Sequence, residues 1–233
     1  MSTHALYNGR DPRELPAYSV ADAARFLDVP SATLRSWVAG RTYPRQDGVG
    51  SFERVISPAD SQGTRLSFYN LVEAHVLRAL RTTHAVPLRH IRPAIAYAEQ
   101  SLGIRRLLLS QELHTAAGEL FIDHLGQLVN LSKSGQLYIK QILSAYLKRV
   151  ERDSHAIPIR LYPFVNLASD PESRAVVIDP LVSFGRPTVS GSGILTAVLV
   201  QRIDSGESVA ALADDYGLRE DQINAAVLFE RAA

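Results

Sequence analysis

Apolar residues recur at one-face helical spacing in several separate stretches, and glycine, proline or serine punctuates the gaps. Ser19 can cap a helix through Val20, Ala21, Ala23, Ala24, Phe26 and Leu27, with Asp22 in the first turn where its charge suits the helix dipole. Asp28-Val29-Pro30 breaks it. A second helix starts behind Ser31, carries Leu34, Trp37 and Val38, and ends at Gly40. Helix, short turn and helix within about twenty residues is the geometry that sets a second helix into a DNA major groove. Trp37, at the end of so small a helix, is expected in the core. Periodicity is then lost from Arg41 to Gly63, where Pro44, Gly48, Gly50, Pro58 and Gly63 mark turns and Arg41, Arg45 and Arg54 supply charge. Arg65 to Ala74 predicts a short strand running into a helix that ends near His84. Another helix opens at Pro87 and Leu88, with Ile91, Ile95 and Ala98 on its apolar side.

The middle of the chain is less periodic. Leu120-Phe121-Ile122 and Gln127-Leu128-Val129-Asn130, separated by Asp123-His124-Leu125-Gly126, predict a hairpin with Gly126 in its turn. Ser134 precedes a helix through Ile139, Ile142, Leu143, Tyr146, Leu147 and Val150, whose exposed side would carry Lys140, Lys148, Arg149 and Arg152. Ile157 to Phe164 alternates like a strand, and its prolines place it at a sheet edge or make it a partner arm. Ala168 to Ser173 is the linker candidate. Beyond it, Leu195, Val198, Leu199 and Ile203 predict a helix that Gly206 stops. Ser208 caps a second helix with Val209, Leu212, Ala213 and Tyr216, Gly217 closes it, and a third carries Ile223, Ala226, Val227 and Glu230.

A chain of 233 residues suits two or three small modules, and 46% hydrophobic with 21% charged residues suffices for buried cores. Cysteine is absent, which removes disulfides and thiolate metal sites and fits a reducing cytosol. Met1-Ser2-Thr3-His4 does not begin a signal sequence and no apolar run is long enough to span a bilayer, so a cytoplasmic protein without membrane contact is expected. Net charge is +1, but residues 165–233 hold five Arg against ten Asp or Glu, a balance of −5, while the rest carries +6. A surface facing a polyanion therefore belongs to the first part.

Catalytic chemistry finds little support. The seven histidines show no metal-ligand spacing, the Gly191-Ser192-Gly193 turn lacks the Lys-Ser or Lys-Thr ending of a phosphate-binding loop, and no nucleophile elbow occurs. No catalytic residue, metal or cofactor is assigned, and the chain is expected not to be an enzyme. The two helix-turn-helix candidates differ in charge at the start of their second helices. The first offers Ser31, Thr33, Arg35 and Ser36, which can hydrogen-bond phosphates and base edges, with Arg41 and Arg45 following for phosphates. The second offers Arg219, Glu220, Asp221 and Gln222, two of them carboxylates that phosphate repels. DNA is therefore assigned to the N-terminal pair.

Two family resemblances sharpen this. The run Val29-Pro30-Ser31-Ala32-Thr33-Leu34-Arg35-Ser36-Trp37 and the re-entry Arg65-Leu66-Ser67-Phe68 resemble the winged-helix domain of MerR regulators over residues 18–105, although Pro93 and Gly103 interrupt where that family continues into one long coiled-coil helix. The tail resembles a three-helix family, long catalogued as a domain of unknown function, that occurs in antitoxins of VapB type. The matching residues are Gly185-Arg186-Pro187, Gly193-Ile194, Gly206-Glu207-Ser208, Leu212-Ala213-Asp214-Asp215-Tyr216 and Ile223-Asn224-Ala225-Ala226.

The expected fold is mainly α with small β elements. It comprises an arm over 1–17, a MerR-like winged helix-turn-helix over 18–105, an α+β middle segment over 106–165 and a C-terminal trihelical domain over 166–233. The resemblance implies an antitoxin of a type II toxin–antitoxin pair that neutralises a PIN-like ribonuclease and represses its own operon. Because the active site of such a nuclease is acidic, Arg186 and Arg231 are the tail residues expected to enter it. Partners are then the toxin, operator DNA and a second copy of the chain, with the middle segment and tail supplying the homodimer contact. The alternative is a MerR-like transcription regulator whose C-terminal part binds an effector or dimerises.

Overall fold

The computed structural model describes residues 7, 9–45, 48–60, 62, 65–82, 86–165 and 173–231. Among them lie nine α-helices and four two-stranded antiparallel sheets, a mainly helical protein with small β elements. Strand β1 (Tyr18–Ser19) leads into α1 (Val20–Phe26), where Ser19 Oγ accepts from the Asp22 amide at 3.0 Å and satisfies a donor the helix start leaves free. Helix α2 (Ser31–Ala39) buries Leu34, Trp37 and Val38 and ends at Gly40, whose φ of 72° suits a residue without Cβ. The chain then folds into the hairpin β2 (Arg41–Arg45) and β3 (Gly48–Phe52). Strand β4 (Arg65–Leu66) returns to pair with β1.

Helix α3 (Phe68–Thr82) is the central post of the molecule. Phe68, Leu71, Val72, Val76 and Leu77 on it are fully buried, and each such side chain contributes about 1.5–3 kcal/mol by leaving water. Its expected end near His84 lies outside the described residues. Helix α4 (Leu88–Leu102) runs straight through Pro93 and stops at Gly103, φ 65°. Pro93 thus does not interrupt it as expected. A proline inside a helix costs about 3 kcal/mol, and the buried stripe Ile91, Ala94, Ile95 and Ala98 offsets that cost while Pro93 itself faces solvent.

The predicted hairpin at 120–130 is a helix instead, α5 (Ala116–Val129). Ala117, Phe121, Ile122 and Leu125 form a buried stripe at helical spacing, and Asn130, with φ 54°, ends it. Gly126 is not a turn residue. A Cβ there would lie 2.4 Å from the Gln136 side chain, so the glycine lets the next helix approach. That helix, α6 (Lys133–Leu147), is capped by Ser132 rather than preceded by Ser134. Its expected basic face is also corrected. Lys140 and Lys148 are exposed, but Arg149 is buried and donates to the Tyr162, Pro163 and Ser173 carbonyls, while Arg152 donates to those of Leu109 and Ala156.

Strand β5 (Val150–Arg152) pairs with β6 (Pro158–Leu161). On its other side β6 bridges at Leu161 to Ile178, by bonds of 3.0 and 2.8 Å. The Ile157–Phe164 stretch is therefore built into the protein's own core rather than free as a partner arm; its apolar residues are held by Ile178, His75 and Tyr146. Most of the linker candidate, residues 168–172, lies outside the described residues. Strands β7 (Val176–Val177) and β8 (Thr188–Val189) pair, and α7 (Thr196–Asp204), α8 (Val209–Tyr216) and α9 (Glu220–Arg231) follow. Val189, Leu199, Leu212, Ile223 and Ala226 make a small core of their own. A larger core extends from Tyr18 to Ile178 and takes in Phe229.

Candidate nucleic-acid interface and the tail that braces it

The turn between α1 and α2 is held from behind by α3. Asp28 adopts φ 48°, and Arg78, buried on α3, donates to the Leu27 carbonyl at 2.6 Å and to Asp28 Oδ2 at 2.7 Å. A buried guanidinium is stable only where its donors find acceptors, so this pair fixes the angle at which α2 leaves the body. Sequence reasoning passed over Arg78.

With Leu34, Trp37 and Val38 turned inward, α2 presents Ser31, Ala32, Arg35 and Ala39 to solvent. Arg35 has no hydrogen-bond or ionic partner among the described residues. Thr33 and Ser36 are half-buried, and Ser36 Oγ donates to the Thr33 carbonyl at 2.7 Å. Of the expected base-reading residues, Ser31 and Arg35 therefore share the open face, whereas Thr33 and Ser36 sit at its margin.

The hairpin is anchored to the same helix. Val55 and Ile56 amides both donate to the Trp37 carbonyl, at 2.8 and 3.0 Å, so the returning strand is tied to the C-terminal end of α2. Arg41 and Arg45 lie on β2, opposite Phe52 and Gly48; their side chains lie outside the described residues. Arg54, just past the hairpin, is exposed and unpaired among the described residues. Arg89, in the first turn of α4, is also exposed. Of these two, Arg54 is the one the sequence pointed to, with Arg41 and Arg45; Arg89 was not named.

The tail's own helix pair is electrostatically different. Arg219 at the start of α9 forms a two-toothed ion pair with Asp221, at 2.9 Å for each bond, so its cation is already neutralised. Arg202 is clamped by Glu207 and Asp215, and Arg231 pairs with Asp204 at 2.8 Å. Arg186 is exposed and has only the Ser183 carbonyl, with no carboxylate partner among the described residues. Of the two arginines expected to enter a toxin, Arg231 is thus engaged on its own surface and Arg186 is not.

Tail and helix-turn-helix are in direct contact. Phe229 of α9 stacks on Phe26 of α1 at 6.3 Å, Arg25 pairs with Glu230, and the Tyr18 hydroxyl donates to the Gly185 carbonyl at 3.0 Å. Burial, with Asp179 nearby, raises the Tyr18 phenol well above its ordinary range, so this donor stays protonated. Among the described residues no three His, Asp or Glu cluster as a metal would require, and no helix is long and apolar enough to cross a membrane.

Comparison with known proteins agrees with this division. Residues 16–95 match the family described as "Putative DNA-binding HTH domain", and residues 176–229 match "Protein of unknown function (DUF433)". The chain is 31% identical to the Mycobacterium tuberculosis protein named "Putative antitoxin VapB45", over 92% of this chain and 93% of that one. It is 24% identical to "Uncharacterized protein Rv2308" of the same organism, over 90% and 88% of the two chains. The crystal structure of Rv2018 from M. tuberculosis superposes with a TM-score of 0.66 at 27% identity, covering 91% of this chain and 98% of that one. With an N-terminal helix-turn-helix, a C-terminal DUF433 domain and this likeness along nearly its whole length, the chain belongs to the VapB45 family of VapB-type antitoxins.

Proposed function

We propose that this protein is a cytoplasmic antitoxin that binds its own operator through α2 and the β2–β3 hairpin while its tail neutralises a PIN-like ribonuclease. It acts by binding rather than by catalysis. The observation that carries the DNA half is the open face of α2, where Arg35 stands without a partner among the described residues and Ser31 lies one turn away at the helix start. Arg35 and Ser31 face base edges, with Thr33 and Ser36 at the margin; Arg41, Arg45 and Arg54 serve phosphates, where charge sets affinity and its salt dependence. In the tail, Arg186 is the cation available to an acidic nuclease site, and Arg231 would have to leave Asp204 first. The operator-bound form is a symmetric dimer, because two half-sites multiply a weak single contact. Footprinting on the promoter of its own gene tests this reading. Protection of a two-fold symmetric site that Arg35→Ala abolishes supports it, and no protected site at low salt refutes it.

A further inference from the structure

We propose that the loop Ser183–Gly185 and the cleft at its foot form the contact between two copies of this chain, each copy seating its Phe184 in the other's cleft. The inference rests on the dimeric operator-binding form proposed above and names the surface that makes it. Ser183, Phe184 and Gly185 are three consecutive residues with positive φ, of 50°, 56° and 76°. Each of the first two carries a Cβ that costs roughly 1–2 kcal/mol in the left-handed region, so surrounding bonds must hold the loop there. They do: Tyr18 donates to the Gly185 carbonyl, the Gly185 amide to the Val182 carbonyl at 2.9 Å, and Ser183 Oγ to the Gly193 carbonyl at 3.3 Å. A Cβ on Gly185 would lie 2.2 Å from the Tyr18 hydroxyl, so that position admits glycine alone. The result of this strain is display. Phe184 is 78% exposed and Leu181, on the same loop, 55%.

A cleft of about 350 Å³ opens beside the loop, with apolar walls from Pro12, Ile159, Pro180 and Leu181. It is roomy enough for a phenyl ring, yet the Phe184 ring of the same chain points to solvent. The charges are complementary as well. Arg13 and Arg160 line the cleft together with Asp11, Asp153 and Asp179, three carboxylates for two guanidiniums. Two residues beyond Phe184, Arg186 carries a cation with no carboxylate partner among the described residues. A knob bearing a ring and a positive charge, adjacent to a hole with apolar walls and excess negative charge, is self-complementary about a two-fold axis. The contact is also one hydrogen bond from the helix-turn-helix, through Tyr18, so it would fix the spacing of the two α2 helices.

Sedimentation or light scattering of the full chain at micromolar concentration tests this, with Phe184→Asn as the variant because asparagine tolerates the left-handed region. The wild type is expected to be a dimer, and F184N to dissociate at about tenfold or more higher concentration with an unchanged circular dichroism spectrum. Since the chain has no cysteine, Phe184→Cys protein mixed with Pro12→Cys protein should form a disulfide-linked dimer under mild oxidation, and Ala39→Cys with Pro12→Cys should not. A monomeric wild type, an F184N dimer of unchanged affinity, or absence of the F184C–P12C link would overturn the proposal. Loss of toxin capture by an F184N protein that remains dimeric would hand the face to the toxin and overturn it too. A dimer of the expected contact that protects no operator would refute the DNA reading and leave this one standing.

Discussion

Arg35 and Arg54 are both exposed cations without partners among the described residues, but they stand in different places and should fail differently. In the proposed complex Arg35 faces a base edge, so Arg35→Ala is expected to cost about 1–3 kcal/mol at one base position and relax preference there. In the same reading Arg54, just past the hairpin, serves a phosphate. Arg54→Ala should weaken all sequences alike and reduce the salt slope by about 1. Gel-shift titrations over a salt series measure both, and equal effects of the two variants on preference would reverse these roles. His75 gives a residue-scale test of the core. It is fully buried against Tyr146 and Phe164, its Nε2–H donates to the Tyr146 carbonyl at 3.1 Å, and burial lowers its pKa from 6.5 to about 3, with Arg78 and Arg149 acting the same way. The unfolded chain therefore binds a proton between those two values that the folded chain refuses. Stability from this group is full above pH 6.5 and is lost as pH falls toward 3, by at most about 1.4 kcal/mol per unit. His75→Phe should flatten the urea-midpoint profile in that window; an unaltered acid slope would place its origin elsewhere.

Elements differ in how far their residues announce them. The α1–turn–α2 unit and the three tail helices were legible because caps, apolar spacing and terminal glycines all agreed: Ser19 and Ser208 cap as expected, and Gly40 and Gly217 end their helices with positive φ. Helix α5 was misjudged because Asp123-His124-Leu125-Gly126 has the composition of a turn, and the packing reason for Gly126 lies ten residues away at Gln136. Arg149 and Arg152 read as a solvated face for the same kind of reason. Their acceptors are backbone carbonyls of distant loops, which no local pattern encodes. In the candidate site, residue types on α2 were legible, but not that Thr33 and Ser36 are half-buried or that Arg78 locks the turn. Gly118 provides a test at this scale. A Cβ there would lie 2.0 Å from the Leu113 carbonyl, backbone that cannot step aside. Gly118→Ala is expected to destabilise by about 1–3 kcal/mol despite its better helix propensity. A melt showing a gain would mean that Leu113 and α5 are not packed in this way.

At the scale of the whole molecule the DNA-binding unit and the DUF433 tail share structure rather than merely a chain. Phe229 joins the large core, β6 bridges to Ile178, and Tyr18 reaches Gly185. Phe229→Ala is accordingly expected to cost about 3–5 kcal/mol and to lower a single cooperative transition that includes the helix-turn-helix. A separate, unshifted transition for the N-terminal part would show the two to be independent. The central claim, that the chain is the antitoxin of an adjacent nuclease, is tested most directly by co-expressing it with the toxin-like gene beside its own and measuring growth and ribonuclease activity of the purified complex. The account predicts that the full chain restores growth and silences the nuclease. Growth arrest that persists with the intact chain, and nuclease that elutes free of it, would contradict the account.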